Sequence, residues 1–162
     1  VGKECPIGPL HKGFQYAMKT LDGGRLGVAA MAVGLGQACI DEAVKYSKER
    51  KQFGRPIADF QGVSFMIADM EAEIEAARQL VYHAAVLKDA GDPEAGLACS
   101  KAKYFAAEAA NRAAYKAVQI HGGYGYIQEY KVERLYRDAR ILSIFEGTSQ
   151  IQQVVIANGL LK

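Results

Sequence analysis

Proline is the residue that most limits what this chain can fold into, because it occurs only at Pro6, Pro9, Pro56 and Pro93. A proline inside a helix removes a backbone donor and clashes with the preceding turn, so its scarcity leaves long stretches free to be helical. Lys12 to Leu21 reads as a first helical piece. Asp22 then stands as an N-cap for a helix to about Lys51, with Leu26, Ala29, Ala30, Val33, Ile40 and Val44 near one stripe. Phe53-Gly54-Arg55-Pro56 ends it. From Asp59 to Ala90 the apolar positions Val63, Ile67, Met70, Ile74, Ala77, Val81 and Ala84 recur at three and four, and Gly91-Asp92-Pro93 is a stop followed by a new start. Glu94 to His121 is alanine-rich, with Ala102, Ala106, Ala109, Ala113, Ala117 and Ile120 forming a face of small residues that Gly122-Gly123 terminates. After a loop with Tyr124, Tyr126 and Tyr130, a short helix covers Val132 to Arg140. A last one runs from Thr148 to Leu161, where Ser149 and Gln152 have the spacing of a capping box.

Three helices of roughly 28–32 residues are each about 42–48 Å long at 1.5 Å per residue. Joined by short breaks, they are expected to lie antiparallel and to close with the C-terminal helix as an all-α, up-and-down four-helix-type bundle. No stretch alternates at period two for long enough to make a sheet. Gly23, Gly24, Gly27, Gly34 and Gly36 each lower helix propensity by up to about 1 kcal/mol relative to alanine. They make sense where another backbone, or a ligand, approaches closely.

The chain is 162 residues long, half hydrophobic and 23% charged, which suits one globular domain with a sizeable core. A net charge of +2 is too small to argue for nucleic acid or an anionic membrane. No apolar run approaches the roughly 20 residues of a bilayer span. Cys5, Cys39 and Cys99 are odd in number and far apart, so neither a disulfide framework nor a zinc site is indicated and a reducing compartment fits. A di-iron core needs Glu-x-x-His pairs facing inward, but Gly8, Leu80 and Val118 stand three before His11, His83 and His121. The start at Val1 leads us to expect a piece of something longer, or a processed product.

Three stretches carry chemistry, each with two readings. Gly122-Gly123-Tyr124-Gly125 is either a loose phosphate cradle or a helix C-cap with a tight turn, and no strand precedes it. Glu49-Arg50-Lys51-Gln52-Phe53-Gly54-Arg55 places cations at the negative end of a helix dipole, worth up to about 1 kcal/mol. The same cluster could instead be an anion site, with Arg50 presenting a planar fork to a phosphate. Glu146 stands just before a helix start and follows Ile141, Leu142, Ile144 and Phe145. It is either a surface acid at the positive end of a dipole or, drawn partly out of water, a usable base.

In this order Asp22-Gly23-Gly24-Arg25, Glu49 to Gly54, Gln119 to Tyr126, Tyr136-Arg137-Asp138-Ala139-Arg140 and Phe145 to Gln152 resemble the C-terminal helical domain of the acyl-CoA dehydrogenase family, over almost the whole of residues 1–162. The resemblance implies a flavoenzyme of fatty acid metabolism that removes the α and β hydrogens of an acyl-CoA thioester to give the trans-2-enoyl-CoA. Glu146 matches the position of the base that takes the α proton, with its backbone N–H matching one donor to the thioester carbonyl and Gly147 beside it at the substrate. Arg50, Gln52 and Phe53 match FAD contacts, as do Gln119 and Gly123 near the adenosine-pyrophosphate of a partner subunit's cofactor. Thr148 and Gln150 resemble further FAD contacts, and Asp22 and Arg25 match positions that touch the acyl-CoA. Glu at 146 points to the short-, medium- or branched-chain type, similar to butyryl-CoA dehydrogenase. Phe145 stands where many relatives carry Tyr, and His121 where Leu or Met is often seen. The resemblance further implies electron-transfer flavoprotein as partner, a homodimer or homotetramer, and bacterial cytoplasm or mitochondrial matrix as setting. The family's full chain adds an N-terminal helical domain and a middle β-domain absent here, so this domain alone is expected to be inactive. Two other outcomes are a catalytically silent helical oligomerisation module and an acyl-CoA oxidase-type flavoenzyme.

Overall fold

With no proline between Pro9 and Pro56 the chain stays helical without a break, and α1 spans Gly13–Glu49 in the computed structural model, which describes residues 8–161. Val1, Cys5 and Pro6 lie outside the described residues. The helix break expected at Asp22 does not occur. Asp22 accepts a hydrogen bond from Arg25 Nη1 at 2.8 Å, one turn on, and so ties together a helix interior instead of opening a helix. The two expected pieces are one element.

The chain then makes a hairpin too short to have shown in any alternation. Strand β1 (Lys51–Gln52) pairs antiparallel with β2 (Arg55–Pro56), with Lys51 opposite Pro56 and Gln52 opposite Arg55. Phe53 and Gly54 turn it with φ of 52° and 81°, the left-handed pair that matches strand twist. A 3-10 turn at Ile57–Asp59 leads into α2 (Gln61–Asp89). Gly91, at φ 67°, reverses the chain into α3 (Ala95–His121). A second 3-10 turn at Gly122–Tyr126, then α4 (Lys131–Ile141) and α5 (Ser149–Leu160), complete the bundle. The all-α bundle expectation is met, with five α-helices among the described residues in place of six expected pieces, because the first two are continuous.

Helix α3 is the centre, packing against α1, α2, α4 and α5. Its expected face of Ala102, Ala106, Ala109, Ala113 and Ala117 is buried, and so are Ala107, Ala110 and Ala114. Small side chains around the helix let its neighbours approach at the short end of ordinary helix spacing. Larger residues on the neighbours fill the remaining space: Val28, Val33 and Ile40 from α1, Met70, Ile74 and Val81 from α2, Val132 and Leu135 from α4. At Gly36 a methyl group would run into Ile74 of α2, so this glycine is there for close packing. By length and composition α1 could cross a bilayer, yet its buried side is part of this core, as for a core helix of a bundle.

A larger side chain on the buried face of α3 has nowhere to go. Ala106→Leu is expected to destabilise the fold by about 1–3 kcal/mol, the usual cost of overpacking. Urea unfolding followed by circular dichroism measures it.

Candidate active site at the turn before the last helix

Between α4 and α5 the backbone takes a shape that side chains resist. Glu146 has φ 53° and Gly147 φ 89°, so the acid itself sits in the left-handed region. For a residue other than glycine, asparagine or aspartate this costs on the order of 1–2 kcal/mol. Surrounding groups hold it there. Thr148 caps α5, its Oγ1 accepting from the Ile151 N–H at 3.3 Å, and the Ser149 N–H donates to the Ser143 carbonyl at 3.1 Å. Gln152 Nε2 donates to the carbonyls of both Glu146 (3.3 Å) and Gly147 (3.1 Å). The capping box expected of Ser149 and Gln152 is therefore not formed. The cap lies one residue earlier, the Ser149 hydroxyl donates to Glu108 Oε1 of α3 at 2.5 Å, and Gln152 turns back to the carbonyls.

The turn delivers the half-buried Glu146 side chain onto α1. A methyl group built on Gly24 would lie 2.5 Å from Glu146 Oε2 and 2.9 Å from its carboxyl carbon. That glycine is a place on α1 where only a hydrogen leaves room for the carboxylate. The next residue, Arg25, is mostly buried, bonded to Asp22 and, at 3.4 Å, to Ser100 Oγ of α3. Asp22, Arg25, Glu146 and Gly147, which are far apart in sequence, are thus gathered around one crossing of α1, α3 and the turn.

The basic cluster forms a second centre at the other end of α1. Arg50, Gln52 and Gly123 line a pocket of about 510 Å³ with Tyr46, Ile57, Ile120, His121, Gly122, Tyr124 and Ile127. The Arg50 guanidinium lies 5.5 Å from the centre of the Tyr124 ring. The helix-cap reading of the glycine turn is met. Gly122, at φ 61°, caps α3 with its N–H on the Gln119 carbonyl, while Gly123 opens onto the pocket, with nothing within 4 Å of a built methyl. Gly125 packs backbone to backbone, a methyl there lying 2.7 Å from the Val118 carbonyl oxygen. A pocket with a guanidinium, an amide, aromatic faces and open glycine backbone suits an anionic group attached to an aromatic ring, so the residues fit part of a dinucleotide.

Two expected members stand apart from this pocket. Phe53 is 92% exposed at the hairpin tip, edge-on to Phe60 at 6.1 Å, and Gln119 is exposed outside the lining. Thr148 and Gln150 line a third, polar cavity of about 560 Å³ with Glu108, Asn111, Arg140 and Ser143. Among the described residues no cluster of three or more His, Cys, Asp or Glu side chains is placed to hold a metal ion.

Several site residues escaped the sequence reading. Tyr46 gave no signal beyond helical spacing, yet it stacks on His121 at 4.1 Å and walls the pocket. Lys103 did give one. It is a lone cation within the alanine face of α3, it has no exposed surface, and its Nζ donates to the Gly147 carbonyl at 2.6 Å.

The chain and its fold match known proteins. A family model described as acyl-CoA dehydrogenase, C-terminal domain, matches residues 11–161. The caffeyl-CoA reductase-Etf complex subunit CarC of Acetobacterium woodii is 59% identical over 162 residues, covering 100% of this chain and 42% of its own. The 3-(aryl)acrylate reductase of Clostridium sporogenes is 58% identical over the same length, 43% of its own. The structure of butyryl-CoA dehydrogenase from Megasphaera elsdenii superposes with a TM-score of 0.94 at 51% identity, over 96% of this chain and 40% of that one. The chain spans about two fifths of the length of the curated relatives it matches.

His121, beneath the pocket, is buried, with Nδ1 2.8 Å from the Ala117 carbonyl. Burial pushes its pKa below the ordinary histidine value of 6.5, against the pull of that carbonyl and of Glu42. Between the folded pKa and 6.5 the unfolded chain binds more protons, so stability falls as pH drops through this window. The thermal midpoint is expected to decline from pH 7.5 to 5.5, and His121→Leu should flatten that slope.

Proposed function

The chain belongs to the acyl-CoA dehydrogenase family, as its C-terminal domain, and on that premise we propose that it supplies the proton-transferring base and part of the FAD site of an enzyme that interconverts an acyl-CoA thioester and its trans-2-enoyl-CoA. The observation that carries this reading is the Glu146 carboxylate, delivered by a strained turn onto the bare backbone of Gly24 beside Asp22 and Arg25. An acid whose position is specified this closely on both sides is built for contact with a reacting group.

Bound FAD would accept the β hydrogen of the acyl chain as hydride, and all else in the scheme falls to side chains and backbone. Glu146 takes the α proton onto a carboxylate oxygen. Its own N–H is the proposed donor to the thioester carbonyl, where charge builds as that proton leaves. Asp22 and Arg25, fixed to each other and to Ser100, are proposed contacts of the acyl-CoA, with Gly147 next to the base. Thr148 and Gln150 contact FAD from the polar cavity behind the turn. Arg50, Gln52 and Phe53 are proposed contacts of FAD, with Gln119 and Gly123 near an adenosine-pyrophosphate; of these, Arg50, Gln52 and Gly123 line the pocket, and Phe53 and Gln119 would reach the cofactor from outside it. On α3, Lys103 at the turn and His121 at the pocket are 18 residues apart, about 27 Å at 1.5 Å per residue. This separation supports assigning the pocket to the cofactor of a partner subunit, so the working enzyme is a homodimer or homotetramer.

Two relatives, at 59% and 58% identity, are named as reductases, one in an Etf complex. Their names support a second reading in which the same site runs towards the saturated thioester, with protonated Glu146 returning the proton to the α carbon. Electron-transfer flavoprotein fits as redox partner in either direction. The bacterial sources of these relatives support a bacterial cytoplasmic setting.

In the full-length enzyme Glu146→Gln is expected to slow flavin reduction by butyryl-CoA at least about a hundredfold, the usual effect of removing a positioned base. Stopped-flow bleaching of the flavin band measures it, and a loss of only a few-fold would make the assignment wrong. Gly24→Ala is expected to separate stability from chemistry. The helix gains up to about 1 kcal/mol of propensity, while the added methyl displaces the carboxylate. The thermal midpoint should hold or rise as the flavin-reduction rate falls tenfold or more.

A further inference from the structure

Lys103 is a buried ammonium in a helix otherwise faced with alanine, and nothing in the packing of that helix calls for it. Its side chain has no exposed surface, and its Nζ donates at 2.6 Å to the carbonyl of Gly147, the residue that follows the proposed base. The carboxylates of Glu108 and Glu146 and the guanidinium of Arg25 face it. An ammonium taken out of water is unfavourable unless partners compensate it, and replacing such a group with an apolar side chain often stabilises a fold. Burial does push Lys103 below the ordinary lysine range, against the opposing pull of Glu108 and Glu146. Packing alone would be served as well by methionine.

The turn supplies what packing does not. Glu146 and Gly147 both have left-handed φ, and two side chains reach their carbonyls: Gln152 from α5 and Lys103 from α3. Gln152 moves with the turn, because it belongs to the helix the turn begins. Lys103 does not, since it stands on the central helix, whose neighbour α1 carries Gly24 and Arg25. Glu108, five residues along α3, takes the Ser149 hydroxyl at 2.5 Å and holds the far side of the same segment. Thus α3 grips the turn at two points, and the Lys103 contact lies next to the acid.

We propose that Lys103 is a positioning residue for Glu146: by fixing the Gly147 carbonyl to the central helix it sets where the carboxylate stands over Gly24. The proposal rests on the reading of Glu146 as the base. Lys103 touches neither substrate nor cofactor in this scheme and acts only through the turn.

The test uses the full-length FAD-loaded enzyme, with butyryl-CoA as probe, and compares wild type, Lys103→Met, Lys103→Gln and Glu146→Gln. The Met variant is expected to keep its flavin stoichiometry and apparent KM, while the rate constant for flavin reduction per bound flavin drops 10- to 100-fold. Its isotope effect with α-deuterated substrate should rise above wild type, because a misplaced carboxylate makes proton removal more nearly limiting. Gln keeps an N–H donor on a chain one atom shorter and should fall between Met and wild type. If the Met variant does not fold, the Gln variant decides, and a wild-type rate per flavin there overturns the proposal. A Met variant that loses flavin or thermal stability but keeps the wild-type rate per bound flavin overturns it too, leaving Lys103 a structural residue. If Glu146→Gln reduces its flavin as fast as wild type, the reading of the base falls and this inference with it. Fast Lys103 variants beside an inert Glu146→Gln overturn this inference alone.

Discussion

The rest of the structure depends on α3 being thin. A helix enclosed by four others can be close to each of them only if its own side chains are small, and alanines at positions 102, 106, 107, 109, 110, 113, 114 and 117 meet that condition. Alanine also has the highest helix propensity and loses no side-chain entropy on burial, so this sequence favours the helix and the close packing together. The neighbours bring the branched and long residues. This division matters for function because α3 meets both chemical centres, the Glu146 turn through Lys103 and Glu108 and the aromatic pocket through His121. A central helix packed on four sides sets the distance between the two.

At each centre the strain lies in the backbone of a connecting turn, and well-ordered helices carry the groups that hold it. Glu146 and Gly147 take left-handed conformations between α4 and α5, as do Phe53 and Gly54 at the hairpin tip and Gly122 at the end of α3. The consequences differ. Phe53 is 92% exposed and restrained by little more than its edge contact with Phe60. Glu146 and Gly147 are held from α3 by Lys103 and from α5 by Gln152 at once. Strain persists where its surroundings over-determine it, and among the described residues the turn at Glu146 is the one place where an acid has been fixed in an unfavourable backbone state.

Much of this was legible in the sequence, for physical reasons that can be named. Proline scarcity and three-four periodicity fix where long helices can lie, and α2 and α3 fall within a residue or two of the expected bounds. The errors share a cause. Asp22 and Ser149 are residue types that cap helices, and composition cannot say whether such a side chain will cap or bond elsewhere. Asp22 had Arg25 one turn away and Ser149 had Glu108 across the bundle, and in both cases the tertiary or side-chain partner won. The hairpin escaped because two-residue strands have no alternation to read. Gly24 was visible as one of five glycines and within the Asp22-Gly23-Gly24-Arg25 stretch, with no partner indicated. What sets it apart is a carboxylate from the far end of the chain, a contact with no local signature.

Lys103 shows where the boundary between the two kinds of knowledge falls. In sequence it is one of twenty basic residues, and a lysine on a helix is ordinarily a solvated face. Its neighbours in the chain already argue otherwise: with Ala102, Ala106 and Ala107 around it on a face meant for close packing, there is no solvent for the ammonium to reach unless it leaves along the helix. Burial therefore follows from the pattern, but its partner does not. Only the fold brings the Gly147 carbonyl within 2.6 Å and sets two carboxylates opposite. A charge that breaks a run of small apolar residues is a local contradiction, and contradictions of that kind concentrate where a site must be held. The sequence thus marks the position as anomalous, and the structure supplies what the anomaly holds in place.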